Sequence, residues 1–110
     1  MKTYDKLKNK LNEYNWDDGF ELPKEILDNS YCDLALALEI FYLADGIRYL
    51  EEPSYNPNLG VWSLFIEKLY NDILNGKYLK KDATFQIPLS KVAKYKLRKL
   101  QVPDIFLTDI

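Results

Sequence analysis

Residues 15–20 read NWDDGF and set two adjacent carboxylates, Asp17 and Asp18, between the rings of Trp16 and Phe20, with Gly19 directly behind them. With Glu21 and Asp45 these acids are the grouping best suited by residue type to chemistry, as oxygen ligands for a hard cation or as a carboxylate pair for general acid–base work. Their spacing does not follow the D-x-[DN]-x-[DN]-G pattern of a calcium loop. The chain has no His and a single Cys, Cys32. Ser-His-acid and Cys-His nucleophiles and His-dependent zinc sites are therefore excluded. The four glycines stand at 19, 46, 60 and 76, too far apart to cradle a phosphate. No catalytic residue, metal site or cofactor is expected, and the chain reads as a non-enzyme.

A structural reading of NWDDGF needs fewer assumptions. Asp-Gly is a turn dipeptide, because Asp bonds nearby backbone and Gly accepts positive φ. A reversal here would point both Trp16 and Phe20 back into the core. One of the carboxylates would face Arg48, which with Lys24 supplies the only positive charge in residues 11–58. Asp45 and Gly46 mark a second special point, read as a close approach between helices in preference to a helix end.

The elements that must position these residues are helical. Tyr4, Leu7, Leu11 and Tyr14 recur at spacings of three and four and place a first helix over residues 3–14. A short second helix begins near Pro23, a residue tolerated in a first turn, and ends by Asn29. Ser30 or Asp33 caps a third, apolar helix over 34–43, whose stripe runs on from Leu43 through Ile47 and Leu50. Pro53 lies in a loop, EEPSYNPNLG. A fourth helix over about 59–75 faces Trp62, Phe65, Ile66, Leu69, Tyr70 and Ile73 inward and stops at Gly76. Ser90 caps a fifth with the stripe Leu89, Ala93, Leu97 and Leu100, and Pro103 opens a last turn carrying Ile105, Phe106 and Leu107. Residues 84–87 are the one strand candidate. The expectation is an all-α, irregular single-domain bundle of about five helices over residues 1–110.

Composition agrees with one soluble domain. The apolar fraction is 47% and the aromatic fraction 15%, with nine Tyr, enough for a core without metal or disulfide. Residues 1–14 have no continuous apolar run, so they are not a signal peptide. The apolar stretch 34–44 is too short for a bilayer and contains Glu39. With the lone Cys32, this points to the cytoplasm.

Charge is segregated along the chain. Residues 1–10 carry a net +3, residues 11–58 a net −9 and residues 59–110 a net +4. Either the blocks pack side by side and neutralise one another, or the acidic block steers a basic partner. The candidate binding face is Asp17, Asp18, Glu21, Glu25, Asp28, Glu51, Glu52 and Tyr55, with Trp16, Gly19, Phe20, Asp45, Gly46 and Arg48 as its structural support.

NWDDGF, CDLALAL and FYLADGIRYLE together resemble a small uncharacterised bacterial domain family with an NWDDGF and FYLADG core. The resemblance covers about residues 11–51, and the terminal KLRKLQVPDIFLTDI is also similar to its members. It implies no catalytic residue. Some small relatives look like immunity proteins encoded beside bacterial polymorphic toxins, which implies a domain that neutralises a cognate toxin, such as a basic nuclease, by occluding it. An acidic, Tyr-bearing face suits that role. The alternatives are a structural or regulatory partner-binding domain, or nucleic-acid binding through Lys77, Lys80, Lys81, Lys91, Lys94, Lys96, Arg98 and Lys99. The isoelectric point near 5.1 works against the last.

Overall fold

The computed structural model describes residues 3–52 and 60–110, so Tyr55 and Pro53 lie outside the described residues. Helix α1 (Thr3–Glu13) turns Leu7 and Leu11 into the core and leaves Lys6 and Lys10 in solvent. A 3₁₀ turn over Trp16–Asp18 leads to α2 (Glu21–Asp28), which buries Pro23, Ile26 and Leu27. Pro23 stands in the first turn of α2, where a backbone N–H has no intrahelical acceptor to lose.

Helix α3 (Leu34–Leu43) is the centre of the molecule and buries residues on nearly every side, from Leu34 to Phe41. Of the two expected caps, Asp33 is the one used. Its Oδ1 accepts the Leu36 N–H at 2.9 Å and the Tyr4 hydroxyl at 3.2 Å. Those two bonds allow a carboxylate to sit only 1% exposed, where an unpartnered one would be costly. Burial and the neighbouring Asp33 carboxylate push the Tyr4 phenol well above its usual range.

The apolar stripe expected to run on from Leu43 is cut instead. The Ala44 N–H closes back on the Ile40 and Tyr42 carbonyls, Asp45 adopts a left-handed conformation with φ 65°, and a separate helix α4 (Gly46–Glu51) departs in a new direction. Gly46 lies against Phe41, but that close approach comes with a helix end, the reading the sequence did not favour. The break leaves Leu43 50% exposed and Leu50 buried. Six helices therefore stand among the described residues in place of about five.

Helix α5 (Val61–Leu74) packs on α3 and α4 and buries Ser63, Phe65, Ile66, Leu69 and Ile73, with Trp62 and Tyr70 half-buried. Gly76, at φ 80°, takes the chain out of it. Helix α6 (Lys91–Lys99) is capped by the Ser90 hydroxyl, which accepts the Ala93 N–H at 3.1 Å. A 3₁₀ turn over Asp104–Phe106 then delivers Phe106 and Leu107 to the core, where they are 0% and 1% exposed. The Phe106 ring stacks on Tyr70 with centroids 4.8 Å apart, and its carbonyl accepts the Tyr42 hydroxyl.

No strand forms among the described residues. At the candidate 84–87, Phe85 exchanges two backbone hydrogen bonds with Ile110, at 2.9 and 3.0 Å, and the Ile87 N–H donates to Asp109 Oδ1 at 2.7 Å. One such pair ties the chain end down without propagating into a ladder. The whole is an all-α bundle around one apolar cluster, with a radius of gyration of 13.7 Å, close to the ~13 Å of a single domain of about this length.

Candidate partner-binding surface

The NWDDGF segment is a built turn. Asn15 Oδ1 accepts the Asp17 N–H at 3.0 Å and the Asn15 carbonyl accepts the Asp18 N–H at 3.0 Å. Gly19 follows at φ 98°, a value that L side chains avoid. Its carbonyl accepts the Tyr14 hydroxyl at 2.8 Å, which fastens the end of α1 to the turn.

Trp16 and Phe20 do not sit inside the core as the turn reading expects. Both are half-buried at its rim, as steps of an aromatic ladder running from Tyr14 through Trp16 and Phe20 to buried Phe65. Phe20 stacks on Phe65 at 4.6 Å, whereas Trp16 meets its neighbours edge-on at 5.7 and 6.3 Å. Trp16→Ala should therefore cost about 2 kcal/mol in urea denaturation, below the roughly 3–5 kcal/mol of a fully enclosed ring.

Arg48 is the second departure. Neither Asp17 nor Asp18 reaches it, and it makes no ion pair with any carboxylate among the described residues. Its guanidinium carbon lies 5.6 Å from the ring centroid of Trp62. The Trp62 indole N–H donates to the Ala44 carbonyl at 2.7 Å, at the break between α3 and α4, and this bond holds the ring where Arg48 reaches its face.

These groups wall a groove of about 250 Å³ lined by Trp16, Phe20, Leu43, Asp45, Arg48 and Trp62. Both tryptophans of the chain face it. Sequence reasoning missed the groove because Leu43 and Trp62 both read as inward-facing. The one available signal was Asp45-Gly46, since a helix break there exposes Leu43 and frees the Ala44 carbonyl for the indole.

Asp45 is the acid that lines this groove. Glu21, Glu25 and Asp28 project from α2 at helical spacings that form one stripe, with exposed Lys24 between them on the same face, and Asp17 and Asp18 precede it on the turn. All five acids are exposed, as are Asp45, Glu51 and Glu52. Asp28 is 4.0 Å from Lys77 Nζ; the others make no ion pair among the described residues. Glu51 is placed apart from the α2 stripe, in a groove with Leu89, Val92, Lys96 and Leu100. Among the described residues, only Lys8–Glu39 and Lys77–Asp28, both at 4.0 Å, link the acidic block to the basic ones. Exposed contacts that long contribute little.

Other groups are spent structurally. Lys68 and Lys77 approach Asp72 Oδ2 at 2.6 and 3.5 Å along a groove between α2 and α5. Burial alone would raise the Asp72 carboxyl, but the two ammonium groups hold it below the usual carboxylate range. Burial, aided by Asp33, pushes the Cys32 thiol up to about 12, which makes it a poor nucleophile at neutral pH. No three His, Cys, Asp or Glu side chains converge as metal ligands among the described residues. None of the described helices is long and apolar enough to cross a membrane.

A family model described as Domain of unknown function (DUF4274) matches residues 3–74. That span ends with α5 and contains the turn, the groove and the α2 stripe, while α6 and the terminal KLRKLQVPDIFLTDI lie beyond it. No curated protein and no solved structure matches the chain.

Proposed function

The chain belongs to the DUF4274 family, a domain of unknown function, and on that premise we propose that it is a non-enzymatic protein-binding domain, an immunity protein that neutralises a cognate toxin by covering it. The observation that carries this reading is an exposed, net-acidic stripe, interrupted by Lys24, that follows the turn from which Trp16 and Phe20 enter an aromatic groove. Asp17, Asp18, Glu21 and Glu25 are exposed and make no ion pair among the described residues, on the turn and helix that carry Trp16 and Phe20 to the groove. A surface of one sign accelerates encounter with an oppositely charged protein. Trp and Arg are the residue types that most often carry interface affinity. A toxin that cleaves nucleic acid offers a basic cleft, and occluding it requires shape and charge alone. Neutralisation then takes place in the cytoplasm, where such a toxin finds its target.

The test is capture from native extract at low salt with the tagged protein. The expected result is a basic protein that is retained at low salt, released by raised salt, and inhibited stoichiometrically in its nuclease activity. Retention of a partner without toxic activity would move the function to a structural or regulatory role on the same surface. Retention of no basic protein would remove the acidic stripe from the account.

A further inference from the structure

We infer that the groove between α4 and α6 is a second docking site, of opposite electrostatic character, and that it takes an acidic amphipathic helix of a protein partner. Helix α6 buries only Leu97, while Val92 and Leu100 stand 64% and 58% exposed. The stripe that reads as core-facing in the sequence thus opens onto a groove of about 520 Å³. Its lining on the α6 side includes Val92, Lys96 and Leu100, with Leu89 just before the helix, and its α4 wall is Ile47 and Glu51. Spacings of three and four align the α6 residues into one ridge, the form of surface that receives the apolar face of a helix.

Charge selects the occupant. Helix α6 carries Lys91, Lys94, Lys96, Arg98 and Lys99 and no acid. Lys94 lies 3.7 Å from Asp109 and Arg98 3.9 Å from Asp104. Lys91, Lys96 and Lys99 have no carboxylate partner among the described residues, and Lys99 rests over the Tyr95 ring at 4.7 Å. A second copy of α6 would be repelled by the same charges. A nucleic acid would gain from the lysines but leave Val92 and Leu100 in water, and two of the bases already face carboxylates. An acidic helix uses both features, its apolar ridge on Val92 and Leu100 and a carboxylate on Lys96. Glu51 on the opposite wall takes a basic residue and fixes the direction of docking. The site lies largely beyond the family-matched span and does not depend on the toxin-binding reading.

The test is selection from a phage-displayed library of helix-forming peptides on the wild-type protein, with counter-selection on a Val92→Asp, Lys96→Glu variant. Both positions are exposed, and circular dichroism confirms that the variant keeps its fold. The expected enrichment is apolar residues at i, i+3 or i+4, and i+7, flanked by Asp and Glu. A synthetic peptide of that sequence, followed by fluorescence anisotropy, should lose about ten-fold or more in affinity with Lys96→Glu alone, the size expected for loss of a close charge pair. Asp17→Lys with Glu21→Lys should leave it unchanged. Recovery of the same peptides on both proteins, or absence of the acidic amphipathic pattern, would overturn the inference. Displacement of the peptide by short duplex DNA at physiological salt would assign the surface to nucleic acid instead.

Discussion

Gly46→Ala should destabilise the protein by about 3 kcal/mol, at the upper end of the usual cost of overpacking. A Cβ at this position would come within 2.5 Å of the Phe41 carbonyl oxygen and closer still to the Phe41 ring. Phe41 is 0% exposed and touches Phe106, so its ring has no free space to move into, and the carbonyl belongs to α3 itself. The strain falls where Asp45, in its left-handed conformation, already turns the chain from α3 to α4. Urea denaturation followed by circular dichroism measures the cost, with Gly19→Ala as the contrast. No atom lies within 4 Å of a Cβ at Gly19, which leaves only backbone strain of about 1–3 kcal/mol. A loss at Gly46 under about 1 kcal/mol, below the usual overpacking range, would mean that α3 and α4 are not packed this way.

Phe106→Ala should cost about 3–5 kcal/mol, the range for deleting a fully buried aromatic ring. Its ring lies between Tyr70 at 4.8 Å and Phe41 at 5.1 Å, and its backbone carbonyl holds the Tyr42 hydroxyl. Burial pushes that phenol well above its usual range, so it stays a neutral donor throughout the physiological range. Removing the ring opens a cavity between α3 and α5 and loosens the tail that carries the Phe85–Ile110 pair. Loss of protection of the Phe85 and Ile110 amides in hydrogen exchange should accompany the drop in stability. An equally stable variant would show that residues 100–110 lie on the core without contributing to it.

What was legible in the sequence was local. The Leu7 and Leu11 stripe, the Asp33 and Ser90 caps, Pro23 in a first turn and the all-α class follow from spacing and cap chemistry within a few residues. The cut between α3 and α4 was not legible, because Leu43, Ile47 and Leu50 keep helical spacing whether or not Asp45 turns the chain. Pairing Arg48 with Asp17 or Asp18 was reasonable on charge. It fails because Trp62, set by a hydrogen bond to Ala44 from another helix, takes the guanidinium first. The Leu100 stripe shows which side of α6 is apolar, but only the tertiary arrangement shows that the opposite wall stands too far away to cover it. The sequence also left open whether the acidic block is neutralised by the basic ones. Among the described residues the structure gives two links between them, both at 4.0 Å, with the other acids of the α2 stripe facing water.

The association rate of the captured basic partner with wild type and with Asp17→Lys, Glu21→Lys, measured at low and raised salt, bears most directly on the central claim. Both side chains are exposed and make no ion pair among the described residues, so the double reversal should keep the helical fold. If the acidic stripe steers the partner, the wild-type rate falls as salt shortens the Debye length below about 10 Å, and the reversal slows association by about ten-fold or more at low salt. Equal rates for the two proteins, with no salt dependence in wild type, would contradict the account and leave the stripe as ordinary solvated surface.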